Sequence, residues 1–523
     1  MNKNLYSRRR WLQLSGAAGL AAATVPCLST RLSAADAAQV VDIGSRRELF
    51  VDRYLIERLA GARLELHRPV RREIVFRTDA PWEGNGSAYQ SVFQEGDRVR
   101  IYYRGGHHPA SKAYETDKAS WETLCLAESK DGIRWTRPEL GIVEFRGSNK
   151  NNLIIDAAMV KEIGGSPAHT AVFKDTNPDC PDQERTKIVI VGSKPRGLYL
   201  LVSPDGIHFH LKSDKPFVTA GAFDSQNLMF WDSVSAVYRE YHRNFDQGVR
   251  GIMTAASKDP DSFPKPQWLE YAGAAEQALY TNQVQPYFRA PHIFMGFPMR
   301  YNDRGWSQSM TELPGLEERK YRGEHHPRYG TAVTDAAFMT SRDGVTFHRW
   351  GEAFIRPGPA RKDTWVYGDN FLFWGMIQTK SHLESAPDEI SLYATEGYWE
   401  GNSTSFRRYT LRMDGFVSVQ APASGGEVAT KPLKFDGSRL EINFSTSAVG
   451  SVRVEIQDAE GKPIPGFALT DCHLQYGDQL DRVVAWKSGA DVSGLAGKPV
   501  RLRFELKDAD LYSFQFTLAE KTE

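Results

Sequence analysis

Four carboxylates stand just ahead of apolar runs, in the company of amides and aromatics: Glu83 in Trp82-Glu-Gly-Asn-Gly-Ser87, Asp224 in Phe223-Asp-Ser-Gln-Asn227, Glu276 in the stretch reaching Tyr280 and Asn282, and Asp369 in Trp365-Val-Tyr-Gly-Asp-Asn370. Ser166-Pro-Ala-His169 is a fifth lead-in of the same kind. Two carboxyls facing one substrate are what acid/base hydrolysis needs, one delivering a proton and one removing it or attacking. Asp224 is the firmest central candidate, because a polar run as long as Asp224 to Asn227 is unusual at a strand start. Glu83 is read as nucleophile or base, Glu276 as acid and Asp369 as a further carboxylate. Each has a structural alternative as a loop or turn acid. Trp82, Tyr280 and Trp365 offer flat faces for stacking, although core packing competes for all three. His169, Gln226, Asn227 and Asn282 offer hydrogen bonds. The pairs His107-His108 and His325-His326 do not chelate by themselves, since neighbours on a strand point to opposite faces, so no metal site is assigned.

Such groups meet only if their elements converge, and a repeat supplies the means. Ser-x-Asp-Gly-(Ile/Val)-x-(Trp/Phe) occurs at Ser129 to Trp135, Ser203 to Phe209 and Ser341 to Phe347, with a worn copy at Ser257 to Phe263. The clean copies are 74 and 138 residues apart, and 138 is two steps of 69 with the worn copy in the gap. A fixed period marks stacked supersecondary units that bury their apolar faces against one another. The element itself is a turn: Asp bonds the backbone ahead of it, Gly takes positive φ and the aromatic anchors the returning strand. Runs such as Arg100-Ile-Tyr-Tyr103, Lys187-Ile-Val-Ile-Val191 and Ala236-Val-Tyr-Arg-Glu-Tyr241 read as strands. Four strands per unit of about 70 residues over 42–420 predict a five-bladed β-propeller, whose first strands converge on a central funnel. A calcium or sodium ion in the channel is compatible with that fold, and no cofactor motif is present.

Arg47 to Ile56 reads as a strand that closes the ring against the last blade. After Ala421-Pro-Ala-Ser-Gly-Gly426 the repeat stops, and alternating strands from Lys431 to Thr517 predict a β-sandwich over 427–523. At the other end, Ser7-Arg-Arg-Arg-Trp-Leu-Gln13 and the apolar stretch Leu14 to Val25 form a twin-arginine signal over 1–37, with Ala35-Asp-Ala37 as its processing site. This predicts a periplasmic or secreted protein. Cleavage removes Lys3, Arg8, Arg9, Arg10, Arg31 and Asp36, moving the formal charge from 0 to about −4. A slightly acidic body without a basic run gives no footprint for nucleic acid, and no later stretch is apolar enough to span a membrane. Cys125, Cys180 and Cys472 are too few for a disulfide framework, though one pair stays open.

With these features the chain resembles the five-bladed propeller glycosidases of the family 32 and 43 type, the group of invertase, levanase, arabinanase and xylosidase-like enzymes, and an exported bacterial subgroup among them. Phe223-Asp-Ser-Gln-Asn-Leu-Met-Phe-Trp-Asp232 is similar to the Arg-Asp-Pro strand with which that family places a central acid, with Phe223 for the Arg and Ser225 for the Pro. The family's Asn-Asp-Pro and Glu-Cys motifs are not visible. The resemblance implies an exported glycoside hydrolase acting on a polysaccharide or oligosaccharide, with two carboxyls about 5 to 5.5 Å apart for retention or roughly 6.5 to 9.5 Å for inversion. A non-catalytic carbohydrate-binding propeller is the alternative. A sialidase-like enzyme is a second one, disfavoured by five blades and by the lack of arginines in the strand lead-ins.

Overall fold

The computed structural model describes residues 40–116, 121–275 and 277–518, so the twin-arginine segment, its processing site and Glu276 lie outside the described residues. Five sheets of four or five strands follow one another in the repeat region. Blade I runs through Ser91–Glu95, Arg98–Gly106, Glu122–Ser129 and Leu153–Asp156; blade II through Ser166–Lys174, Thr186–Ser193, Arg196–Ser203 and His210–Leu211. Blade III is Leu228–Asp232, Val237–Asp246, Val249–Ser257 and Gln267–Trp268. Blade IV is Gln285–Tyr287, Ala290–Gly296, Met339–Ser341 and Thr346–Arg349, edged by Glu270–Gly273. Blade V takes Ile377–Thr379, Glu389–Glu396 and Ser405–Arg412 from one part of the chain and Val70–Arg77 from far upstream. The fold is therefore the expected five-bladed propeller.

The ring is closed by Val70–Arg77, not by Arg47 to Ile56. Phe76 stacks on Phe406 of blade V with ring centroids 5.5 Å apart. Residues 41–66, placed by sequence in the propeller span 42–420, pair instead with the C-terminal sheet: Val41–Gly44 with Leu433–Phe435, Glu48–Leu49 with Val500–Thr517, Ile56–Ala60 with Gly426–Thr430 and Arg63–Leu66 with Val417–Ala421. The reason is apolar burial, since Ile43, Phe50, Leu55 and Ile56 join the cluster built on Trp486, Phe504 and Phe514. The long strands Arg439–Asp458 and Val500–Thr517 wrap that cluster, and their register breaks between Thr446 and Ser451. Val417–Ala421, just before the expected start at 427, also belongs to this sheet. Buried Asp414 joins the two regions, accepting hydrogen bonds from Tyr287 of blade IV (2.7 Å) and from Ser513 (2.7 Å).

The repeated turn has one geometry in its three clean copies. The Ser hydroxyl donates to Asp (Ser129 to Asp131 3.0 Å, Ser203 to Asp205 2.8 Å, Ser341 to Asp343 2.9 Å) and accepts from the Gly N–H. The Asp carboxylate accepts the next two N–H groups. Gly132, Gly206 and Gly344 have φ of +72°, +72° and +78°, a region that disfavours any side chain. Each glycine carbonyl then accepts a tyrosine hydroxyl from the preceding blade: Tyr393 to Gly132 at 2.6 Å, Tyr102 to Gly206 at 3.0 Å and Tyr241 to Gly344 at 2.8 Å. The worn copy in blade III has Pro260 where the glycine would be, and the second strand of blade II has no tyrosine to meet it.

Blade IV departs from the pattern between its second and third strands. A hairpin, Met299–Asp303 with Ala332–Ala336, carries the helices Leu316–His325 and Pro327–Thr331 over the funnel rim. Buried Arg319 and Arg322 fasten this insertion to blade V, donating to the carbonyls of Trp365 (2.8 Å) and Tyr398 (2.9 Å).

Candidate functional site

The channel axis is plugged by amides. Gln226, fully buried, donates from Nε2 to the carbonyl of Tyr89 at 2.8 Å, with the Gln90 and Thr170 carbonyls at 3.3 Å, and Gln283 donates to its Oε1 at 2.5 Å. Four blades are tied at one side chain. The carbonyls of Tyr89, Gln90 and Thr170 thus accept from one amide at the axis. Among the described residues no group of three or more His, Cys, Asp or Glu is arranged to hold a metal.

Beyond the plug the funnel wall is aromatic and cationic. Tyr367 donates to the hydroxyl of Tyr280 at 2.7 Å, and the Tyr89 hydroxyl lies 3.2 Å from it, so hydroxyls from blades I, IV and V form a chain. Phe371, Tyr301, Tyr329, Tyr398 and Trp399 continue the aromatic surface. His169 packs against Tyr89 with centroids 5.2 Å apart. From blade III, Arg243 lies over the Tyr280 ring at 4.5 Å, donates to the Asp224 carbonyl at 2.8 Å and pairs with the Asp224 carboxylate. Arg250 and Arg328 lie over Tyr301 at 4.7 and 5.7 Å. Arg104 comes from blade I, 3.6 Å from Glu122, beside a cavity of about 520 Å³ lined in part by His107, His108 and Trp121.

Of the sequence candidates, this wall holds Asp224, His169 and Tyr280. The Asp224 side chain is 59% exposed, open to a ligand despite its ion pair. Burial would raise its carboxyl, but the Arg243 guanidinium prevails and holds it below the usual range. Burial, then Arg104, lowers the His169 imidazole to about 3, leaving it neutral. Burial alone would raise the Tyr280 hydroxyl; Arg243, then the hydrogen bonds with Tyr367 and Tyr89, bring it below its ordinary value, whereas Tyr89 and Tyr367 are pushed well up by burial. Tyr280 thus sits at the centre of the chain, accepting from Tyr367.

The other candidates lie elsewhere. Glu83 is fully buried in the wall between blades I and V, where both its oxygens are engaged: Arg137 donates at 2.8 and 2.9 Å, Ala80 N–H at 2.9 Å, and the Tyr103 hydroxyl adds a further bond. That carboxylate is a tie in the scaffold. Trp82 beside it donates to Asn152 Oδ1 at 2.6 Å. Asp369 is buried beneath blade V, accepting the N–H groups of Gly397 (2.8 Å) and Tyr398 (3.1 Å), and burial drives its carboxyl well above the usual range. Trp365 bonds the Gly358 carbonyl at 2.8 Å under the helical insertion. Asn227 and Asn282 are buried against backbone, Asn227 donating to the carbonyls of Phe223 and Ser225. Glu276 lies outside the described residues. Among the described residues, Cys125, Cys180 and Cys472 are buried and free.

Sequence reading missed the arginines. They lie outside the strand lead-ins: Arg104 and Arg243 sit at interior positions of second strands and Arg250 on a third strand. The available signal was a charge inside an otherwise aromatic strand, as in Tyr102-Tyr-Arg104 and Tyr241-His-Arg243.

No protein-family model and no curated protein matches the sequence. Solved structures similar to it include a glycoside hydrolase family 43 arabinoxylan arabinofuranohydrolase from Bacillus subtilis, 13% identical over 86% of this chain and 99% of that one with a TM-score of 0.38. RS223-β-xylosidase is 9% identical over 64% of this chain and 95% of its own, with a TM-score of 0.37. An endo-1,4-β-xylanase from Bacteroides thetaiotaomicron VPI-5482 is 11% identical over 65% and 97%, with a TM-score of 0.38. Likeness at this level assigns neither a site residue nor a substrate to the chain.

Proposed function

We propose that the protein is a glycoside hydrolase that takes a polysaccharide or its oligosaccharides into the propeller funnel, with Asp224 as its working carboxylate. The observation that carries this reading is the setting of Asp224: solvent-open, held ionised by Arg243, and flanked by neutral His169 and an aromatic wall suited to sugar faces. An ionised carboxylate acts as base or nucleophile or steadies positive charge at the anomeric carbon; it is not the acid. The proton for the leaving oxygen comes from a second group, and the Tyr367–Tyr280–Tyr89 chain is the proton carrier at hand. Released reducing ends across a polysaccharide panel test the reading, with Asp224→Asn and Tyr280→Phe as the diagnostic variants. Binding without cleavage by the wild type replaces the enzyme with a carbohydrate-binding propeller, a reading favoured by the withdrawal of Glu83 and Asp369 from the funnel.

We further propose that Arg8 and Arg9 direct export by the twin-arginine route. Unchanged export after replacing both with lysine overturns that assignment.

A further inference from the structure

The funnel holds more positive charge than its own acids answer. Arg104, Arg243, Arg250 and Arg328 approach one aromatic wall from blades I and III and from the blade IV insertion; of the acids near them Asp224 pairs with Arg243 and Glu122 with Arg104, while exposed Asp303 and Asp246 lie near Tyr301 and Arg250 without a salt bridge to Arg250 or Arg328 among the described residues. Arg243 is 2% exposed and its guanidinium acts on the Tyr280 hydroxyl, yet its Nε and Nη1 meet hydrogen-bond geometry with no partner among the described residues. The Nε atoms of Arg104, Arg250 and Arg328 are buried without a partner as well. Burial, then the like charges of Arg328 and Arg243, lowers the Arg250 guanidinium, whereas Arg243 and Arg104, despite burial, are held above the ordinary value by the tyrosine hydroxyls and carboxylates beside them. Leaving buried donors of this kind unmade is costly. Sugar hydroxyls satisfy single donors but cancel no charge, whereas a carboxylate or sulfate accepts several guanidinium N–H groups at once and neutralises them.

We propose that the funnel recognises a saccharide bearing an anionic substituent, a uronate carboxylate or a sulfate ester, seated against Arg243 and its neighbouring guanidiniums. This rests on the carbohydrate reading above and adds the substrate class. The anion is a small one: the overall balance of 65 basic and 65 acidic residues gives no field for a large polyanion. Asp224, already paired with Arg243, then faces a charged ligand without standing as an unopposed negative charge.

The test is calorimetric binding to the full chain of three matched oligosaccharide sets, neutral xylo-oligosaccharides, uronate-containing ones and sulfated ones, with released reducing ends measured in parallel. At least one charged set binds more tightly than its neutral counterpart by about tenfold or more, and added salt shrinks the gap. The set that wins identifies carboxylate or sulfate as the substituent. Arg243→Gln closes the gap to under about twofold, and Arg328→Gln, in the peripheral insertion, narrows it if the buried variant fails to fold. Equal or tighter binding of the neutral sets, a gap that survives both substitutions, or binding of inorganic sulfate with no preference among saccharides overturns the proposal. Preference for a charged glycan without any cleavage overturns the hydrolase reading alone. Binding of no glycan, neutral or charged, overturns both.

Discussion

The outer turns and the funnel rim are built on opposite plans. Three turns, in blades I, II and IV, repeat one set of bonds down to the tyrosine that reaches each glycine carbonyl from the blade before. The rim repeats nothing: it takes two arginines from second strands, one from a third strand, one from an insertion, and tyrosines from blades I, IV and V. Turns serve every blade alike, so their chemistry is local and recurs in sequence. A site serves one ligand, so its residues are unique and their kinship appears only when the ring closes. Regularity here marks scaffold, and the candidate site lies where it is lost.

Substitutions that separate the two plans sharpen this contrast. The largest effect belongs to the rim: Asp224→Asn lowers turnover by about 10² to 10⁴ on the preferred glycan with the thermal midpoint nearly unchanged, since general acid/base assistance is typically of that size. Initial rates with thermal denaturation on the same samples give both numbers. A buried carboxylate of the scaffold behaves in the reverse way. Glu83→Gln weakens the hold on Arg137 and costs about 3 kcal/mol of stability in denaturant titration, whereas turnover per folded molecule persists. Loss of turnover with full stability would move Glu83 back to the site.

Within the turns, Gly344→Ala places a Cβ 2.5 Å from Arg239 Nη1 and 2.9 Å from the Tyr241 hydroxyl at a φ of +78°. A loss of about 1 to 3 kcal/mol follows. Removing only the hydroxyl of Tyr241, which donates to the Gly344 carbonyl, costs less, about 1 kcal/mol for one hydrogen bond, and Tyr241→Phe measured beside Gly344→Ala ranks the two halves of that contact.

The smallest effect is a pH displacement. Because Arg243 lowers the Asp224 carboxyl, the ion pair is fully present above the ordinary carboxylate range and is lost as pH falls through the depressed value. The acid limb of the rate profile therefore lies below pH about 4, the ordinary aspartate value, and Arg243→Gln moves it upward. A limb that stays in place after that substitution separates Asp224 from the rate.

Much of the fold was legible because its signals are local. The Ser-x-Asp-Gly spacing names the turn, Gly supplies the positive φ, and the steps of 74 and 69 count the blades. Ring closure was misread, since Arg47 to Ile56 and Val70–Arg77 are both strand-like and nothing local says which sheet each will meet; the burial of Phe50 and Ile56 beside Trp486 decides it. At the candidate site, Asp224, His169 and Tyr280 stand out in the sequence as polar or aromatic interruptions ahead of apolar strands. Glu83 and Asp369 look the same in sequence, and only their partners, Arg137 for one and two backbone N–H groups for the other, assign them to the scaffold.

Closure by Val70–Arg77 also sets a timetable for synthesis. The strand is among the first made, but its partner Ser405–Arg412 arrives more than 300 residues later, Arg77 and Ser405 being 328 apart. Joining ends that far apart costs about 5 kcal/mol of loop entropy on the (3/2)RT ln n rule. Contacts of such range make folding slow. Until the fifth sheet is translated the early strand has no edge to join, and the nascent chain carries an unpaired hydrogen-bonding ladder that other chains can capture. A ribosome stalled before Ser405 therefore holds an open arc, and release of the last quarter of the chain is the event that turns it into a ring.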